Sequence, residues 1–416
     1  MTMLKSINQE DLRNHNLSVI IDTILRAPRP MSRADLAKAT GLTKATLSLL
    51  GGMLLEQGVV CELKPEVSLS GYGRPSTPLA VAADRWAGVG LQINTDGYGC
   101  LAQDLNGSVI DVRWVDSDMR GANPDDIFDQ LDSMVRSLVC QIKRKGITIT
   151  GYGLALPGLV TDDMYLLMAP NLGWKHLNLG AYQLVRRLDL IAGNEAKMAA
   201  MAQIPGYASQ YRYSSEPAVA VKGRLSPSDS FMYISTDIGI GGAVVRSGVI
   251  ETGDRGFAGE LGHVSVDLHG PSCRCGRHGC LETYAGRTAL VEAAGIASGR
   301  EAVNAKAVEE LFQRWEDGDN QAVCAVNRAV DALVSVMASA INLADIDTVM
   351  IGGFWSHFSR DLIKTLEGRL ASQIVARDRV SPRVLLPEVA DRPALRGAAL
   401  VGLRQFVDNP LAYFHL

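Results

Sequence analysis

The sequence predicts an α/β protein in which a winged helix-turn-helix, residues 1–82, precedes a larger two-lobe body. Three features carry that reading. Short apolar helices followed by a strand, a loop and a second strand fill the first 82 residues. Glycine-rich hairpins recur in both halves of the remainder, and one histidine and three cysteines crowd together between His263 and Cys280. A chain of 416 residues is too long for one ordinary domain, and 47% hydrophobic with 21% charged residues is the balance of a folded globular protein.

In the head, Leu12, Leu17, Ile20, Ile21, Ile24 and Leu25 recur at helical spacing, and Pro28 and Pro30 end that helix. Ser32 is placed to cap a short helix through Ala34, Leu36 and Ala37. Thr40-Gly41-Leu42 makes a tight turn, and Thr43 caps a third helix reaching about Gln57. Val59–Leu63 reads as a strand, residues 64–78 as a Ser/Gly/Pro-rich loop and Leu79–Val81 as the returning strand. The third helix of such a module enters the major groove of double-stranded DNA. With Leu47, Leu50 and Leu54 turned inward, Lys44, Thr46 and Ser48 face outward beside the cap Thr43, suited to phosphate and base contacts. Arg74, between Gly73 and Pro75 at the wing tip, is placed to enter a narrow minor groove. Leu49 and the mid-helix pair Gly51-Gly52 fit less well, because an interior glycine costs about 1 kcal/mol relative to alanine. A small helical bundle used for dimerisation is the alternative, and it leaves the terminal hairpin without a task. The head carries nine Lys/Arg against seven Asp/Glu and the remainder 32 against 38, an asymmetry in the direction that DNA binding favours.

In the body, Val89–Ile93 and Gly99–Asp104 read as a hairpin followed by a strand at Val109–Val115. A long amphipathic helix covers about Asp125–Lys145, and Gly151–Leu156 is a buried strand. Phe231–Thr236 with Gly242–Arg246 form a second hairpin, Val326–Leu343 a helix, Thr348–Ile351 a strand and Ala394–Leu403 a last helix. The polar stretch 208–229 reads as an exposed loop. The expected lobes are residues 83–190, completed by a C-terminal helix at about 393–408, and residues 191–392. No unbroken apolar run approaches the ~18 residues that span a bilayer. Asn8, Glu10 and Asp11 stand where a secretory signal is apolar, so a cytoplasmic protein is expected.

Cys61, Cys100, Cys140 and Cys324 are scattered and read as small core residues. The pattern His263-(x9)-Cys273-x-Cys275-(x4)-Cys280 differs. One imidazole and three thiolates suit tetrahedral zinc, and four protein ligands leave no open position, so one structural ion per chain is expected. Pro271, Gly276 and Gly279 supply the turns that bring near neighbours to one ion. Glu260 and Glu282 flank this loop. A loop anchored at both ends would hold their carboxylates in one cleft with the imidazole, where such groups grip sugar hydroxyls. Spacing alone equally allows two solvated surface charges.

Gly259-Glu260-Leu261-Gly262-His263, with Cys273-Arg274-Cys275-Gly276 and Gly279-Cys280-Leu281-Glu282, resembles the signature of the ROK family of repressors and sugar kinases. Leu156-Pro157-Gly158, Ala169-Pro170-Asn171-Leu172-Gly173-Trp174, Asn194-Glu195-Ala196 and Ile351-Gly352-Gly353 extend the resemblance over about residues 84–408. The head, with Gly73-Arg74-Pro75, resembles the repressor branch. The resemblance implies an actin-like, hexokinase-type body holding a sugar or sugar phosphate between its lobes. The implied sugar ligands are Asn171, Asn194, Glu195, Glu260, His263 and Glu282, with His263 serving zinc and sugar through different ring nitrogens. It implies a homodimer or dimer of dimers on operator DNA.

The phosphate-handling segments depart from the family's kinases. Gln92-Ile93-Asn94-Thr95-Asp96 replaces Asp-x-Gly-x-Thr, Ile238 stands where the second phosphate loop has threonine, and Glu195 replaces the catalytic aspartate. A regulator without kinase activity is therefore expected. An ATP-dependent sugar kinase with an accessory head and a zinc-stabilised scaffold without a ligand are the competing readings.

Overall fold

Helix α1 (Gln9–Arg26) opens with a reciprocal cap: Asn8 Oδ1 accepts from the Asp11 N–H, and Asp11 accepts from the Asn8 N–H. This computed structural model describes residues 8–64, 77–209, 224–299, 301–358 and 360–414. The expected wing tip with Arg74 and most of the polar stretch 208–229 lie outside the described residues. After α1 come β1 (Met31–Ser32), α2 (Arg33–Thr40), α3 (Lys44–Glu56), β2 (Val60–Glu62) and β3 (Pro78–Val81). Ser32 caps α2 together with Asp35, and Thr43 caps α3 through the Thr46 N–H. Gly41, at φ 73°, turns the chain between the two helices in a conformation that side chains resist. The three strands form an antiparallel sheet in the order β1-β3-β2.

The predicted inward residues Leu17, Ile20, Ile21, Ile24, Leu25, Leu47, Leu50 and Leu54 are buried, but Leu12 is 50% exposed. Counting back from Leu17 by three or four residues reaches Asn14 and Arg13, so Leu12 lies off the stripe.

The body continues with β4 (Trp86–Asn94), β5 (Gly97–Asp104), β6 (Val109–Asp116), α4 (Pro124–Arg144), β7 (Thr148–Leu156), β8 (Leu159–Val160), β9 (Tyr165–Ala169), β10 (Trp174–Asn178), α5 (Gln183–Leu188), β11 (Ile191–Asn194) and α6 (Glu195–Met201). Then follow β12 (Phe231–Thr236), β13 (Ile240–Arg246), β14 (Val249–Glu251), α7 (Glu282–Ala285), α8 (Arg287–Ala293), α9 (Ala305–Glu316), α10 (Asn320–Ala344), β15 (Thr348–Gly353), α11 (Arg360–Gln373), β16 (Arg383–Leu385) and α12 (Pro393–Asp408). Two five-stranded sheets result, β6-β5-β4-β7-β11 and β14-β13-β12-β15-β16. Each has an antiparallel hairpin half and a parallel half joined at its middle strand. The repeated strand order and sense are those of a duplicated two-lobe α/β fold. Strands β8–β10 form a further small sheet that the sequence reading passed over.

Helix α12 lies across β4 and β7. Glycines permit that close approach, since a Cβ at Gly90 would fall 2.2 Å from the Leu395 carbonyl oxygen and one at Gly153 2.3 Å from that of Ala398. The other end of α12 reaches the head. Leu400, Leu403 and Phe406 share one apolar cluster with Leu17, Ile20, Leu54 and Val59. Trp86 stacks on Phe406 at 4.5 Å and donates from Nε1 to the Gln57 carbonyl oxygen.

Helix α10 begins at Asn320 because Asp319 caps it, accepting from the Gln321 and Ala322 N–H groups, and not at Val326 as its apolar pattern predicts. It is long and apolar enough to cross a membrane, yet Val326, Leu333, Met337 and Ile341 are buried in one core cluster with Ile234 of β12 and Ile351 of β15. Among the scattered cysteines Cys100 is buried, whereas Cys140 and Cys324 are exposed on α4 and α10 and are not core residues.

Candidate functional site

The parallel strands deliver the site. Asn94, Pro157, Asn194 and Asp237 stand at or just beyond the carboxyl ends of β4, β7, β11 and β12, where open α/β sheets leave a crevice for ligands. A pocket opens there. All six expected sugar ligands line it: Asn171, Asn194, Glu195, Glu260, His263 and Glu282.

Local structure fixes each of them. Asn194 caps α6, its Oδ1 accepting from the Ala196 N–H at 2.9 Å and the Lys197 N–H at 3.3 Å. Its Nδ2 donates to the Gly158 carbonyl oxygen at 2.9 Å, which leaves one amide proton for a ligand. Glu195, the first residue of α6, accepts from Gln92 Nε2 at 3.4 Å. Glu282 opens α7 and accepts from the Ile240 N–H at 3.1 Å. A Cβ on Gly239 would fall 2.4 Å from that carboxylate, so glycine there is what admits it. Gly259, at φ 97° and with a Cβ position 2.7 Å from the Gly242 carbonyl oxygen, aims Glu260 inward from a turn only glycine fits. Arg274 Nη1 donates to Asn171 Oδ1 at 3.0 Å, joining the cysteine loop to the turn between β9 and β10.

The pocket is rich in acids. Burial, with Asp237 and Asp96 adding to it, pushes the Glu195 carboxyl up to about 8. Burial raises Asp237 to about 6 against the opposing pull of Arg287. Burial also raises Glu260, an effect that His263 and Lys197 oppose.

Sequence reasoning missed Asp237 and its partner. The Arg287 guanidinium lies 3.1 Å from Asp237 Oδ1 and 3.5 Å from Asp96 Oδ1, bridging the turn after β12 and the turn between β4 and β5. Asp237 directly precedes the glycine segment that drew attention, but nothing in the chain's order pairs it with an arginine on α8.

The expected metal ligands assemble. His263, Cys273, Cys275 and Cys280 present donor atoms all within 4.8 Å of one another. Cys275 and Cys280 sulfurs are 3.7 Å apart, as are Cys273 Sγ and His263 Nδ1. The edge of a tetrahedron with metal–sulfur bonds near 2.3 Å is about 3.8 Å, so the four fit one ion. Nδ1 faces the thiols, which leaves Nε2 as the ring nitrogen available to the pocket.

On the head, Lys44 and Ser48 are exposed on α3, as expected. Thr46 is half-buried and its Oγ1 pairs with that of Thr43 at 2.9 Å, so these two hydroxyls serve the helix cap first.

The chain belongs to the ROK family, whose model matches residues 100–404. It is 28% identical over 296 residues to the xylose repressor of Bacillus subtilis (strain 168), covering 70% of this chain and 68% of that one. The xylose repressor of Caldicellulosiruptor bescii is 23% identical across 98% of both chains. The N-acetylmannosamine kinase of Salmonella typhi is 28% identical over 61% of this chain and 82% of its own. Among solved structures, a ROK family transcriptional regulator described as a homologue of the E. coli MLC protein superposes with a TM-score of 0.73 at 23% identity, covering 97% of this chain and 98% of that one. A ROK family glucokinase from Streptomyces griseus, solved with glucose and AMPPNP, gives 0.59 at 21% identity over 76% of this chain and 98% of its own. The fold is thus the mixed α/β fold of ROK kinases and regulators.

Proposed function

We propose that the protein is a sugar-responsive transcription repressor of carbohydrate-use genes. It binds operator DNA as a homodimer or dimer of dimers through residues 1–82, a winged helix-turn-helix, and takes a sugar between lobes formed by residues 83–190 with 393–408 and by 191–392. The observation that carries the reading is the joining of two parts: a pocket lined by six side chains of a kind that can hydrogen-bond hydroxyls, and a head seated on α12, the helix that also packs against α6 beneath that pocket. The likeness to repressors spans nearly the whole chain, while that to the kinase leaves much of it uncovered.

In this reading Asn171, Asn194, Glu195, Glu260, His263 and Glu282 hold the sugar hydroxyls, and Thr43, Lys44, Thr46, Ser48 and Arg74 meet DNA. Zinc fits the Cys3His set, and as an ion with four protein ligands it would stiffen the loop and orient His263 without performing chemistry. Phosphotransfer is disfavoured. Where a kinase would receive phosphates between its two hairpins, Arg287 is engaged with Asp96 and Asp237, two carboxylates that would repel them. Glu195 stands where the family's kinases carry an aspartate, and its longer side chain alters the hydrogen-bond reach on which general-base catalysis depends. Such a chain would work in the cytoplasm, where its DNA is. The test is release of a labelled duplex, selected from a random pool by the full-length protein, on titration with a panel of pentoses, hexoses, amino sugars and their phosphates. Failure to select any duplex would overturn the reading.

A further inference from the structure

Helix α3 exposes Lys44, Ala45, Ser48, Leu49, Gly52 and Glu56. Leu49 is 64% exposed at the centre of that face. The two glycines beside it have no internal explanation. A Cβ at Gly52 meets nothing within 4 Å, and one at Gly51 meets only Arg33 Nε, at an ordinary 3.8 Å. Neither has the positive φ that excludes side chains. Glycine is the least favoured residue in a helix interior after proline, so the fold alone would be better served by alanine at both positions. At Gly52 the missing Cβ lowers the exposed surface and lets the helix backbone sit close to whatever docks there.

The chemistry of this face limits what it can read. Bidentate recognition of guanine takes arginine or lysine, of adenine asparagine or glutamine, and cytosine's amino group takes a carboxylate. Between Lys44 at one end and Glu56 at the other, the exposed face offers one hydroxyl, one methyl, one isobutyl group and bare backbone. The single apolar feature of the major groove is the thymine 5-methyl group. Lys44 is exposed at the start of this face, and exposed Lys44, Arg29 and Lys38 of the head make no ion pair among the described residues, which leaves three cations for phosphates.

We propose that Leu49 is the base-reading residue of the head, packing on thymine methyl groups in the major groove where Gly52 admits close approach. This rests on the repressor reading and adds what that reading lacks, the residue and the base. Ala45 extends the apolar contact by one methyl, and Ser48 supplies the one short hydrogen bond.

The experiment uses full-length protein and the best duplex it selects from a random pool. Each dT is replaced singly by dU, which deletes only the methyl group. At one or two positions per half-site the wild type should lose about fourfold in affinity. Leu49→Ala should bind less tightly and lose that sensitivity, while its salt dependence stays unchanged. Gly52→Ala should raise the melting temperature and weaken binding, a pairing that a structural role for the glycine would not give. Wild-type binding indifferent to every dU, or Leu49→Ala retaining full sensitivity, overturns the proposal and leaves the repressor reading standing. A fall in oligomer mass for Leu49→Ala with base preference intact overturns it in favour of a contact between copies. Selection of no duplex overturns both.

Discussion

Arg404 Nη1 on α12 donates to Asp22 Oδ1 on α1 at 2.6 Å, and the same nitrogen donates to the Tyr207 carbonyl oxygen at 3.1 Å. One guanidinium thereby holds the first helix of the head against the helix that covers the first sheet. Since α12 also packs on α6, whose first residue is Glu195 in the pocket, head and pocket share a continuous packed path. A path becomes coupling only where the two ligands favour different arrangements of it.

Replacing Arg404 should loosen that path. Arg404→Met should lower the melting temperature, as loss of a charge-assisted hydrogen bond worth about 1.5–3 kcal/mol requires. It should leave sugar affinity near wild type while shrinking the change in operator affinity that sugar produces. Equal coupling in mutant and wild type would remove Arg404 from the account.

Metal content gives the second prediction. Purified protein should carry about one zinc per chain, and Cys275→Ser should lose it with a large fall in melting temperature, because binding a structural ion contributes to folding free energy. Metal-free protein with an unchanged melting temperature would end the zinc assignment.

The third concerns Glu195. Its carboxyl, raised from an ordinary 4.5 to about 8, holds its proton more tightly folded than unfolded. The resulting stability is fully present below about 4.5 and is lost as pH rises through about 8. Glu195→Gln keeps the neutral shape at every pH. Its melting temperature should therefore fall less than the wild type's between pH 5 and 8, and parallel curves would contradict the buried, proton-holding carboxyl.

Phosphotransfer supplies the fourth. With ATP and magnesium no hexose or amino sugar should be phosphorylated above background, and a coupled assay showing steady turnover would make the protein a kinase.

Much of this was legible in order alone. The cysteine spacing announced the cluster of one histidine and three cysteines, and motif resemblance named six residues that do line one pocket. What stayed hidden depends on distance in three dimensions. Arg287 reaches Asp96 from α8, across 191 positions of chain, and no local pattern marks such a pair. Thr46 looked outward because helical spacing places it there, yet its hydroxyl turns to the cap residue Thr43. The start of α10 was missed because its first two residues, Asn320 and Gln321, are polar and the buried Ala322 and Ala325 are too small to stand out beside Val326.

The central claim is that sugar and DNA bind separate parts of one chain that communicate through its conformation. Operator affinity measured by anisotropy, with and without the releasing sugar, tests it in Glu260→Ala, Glu282→Ala and Lys44→Ala. The two glutamate variants should bind operator as wild type does while needing more sugar for release, about 10- to 150-fold, because each loses a ligand hydrogen bond to a charged group. Lys44→Ala should bind operator less tightly with a shallower salt dependence and unchanged sugar affinity. Glutamate variants that lose operator affinity as severely as Lys44→Ala, with sugar binding untouched, would contradict the account.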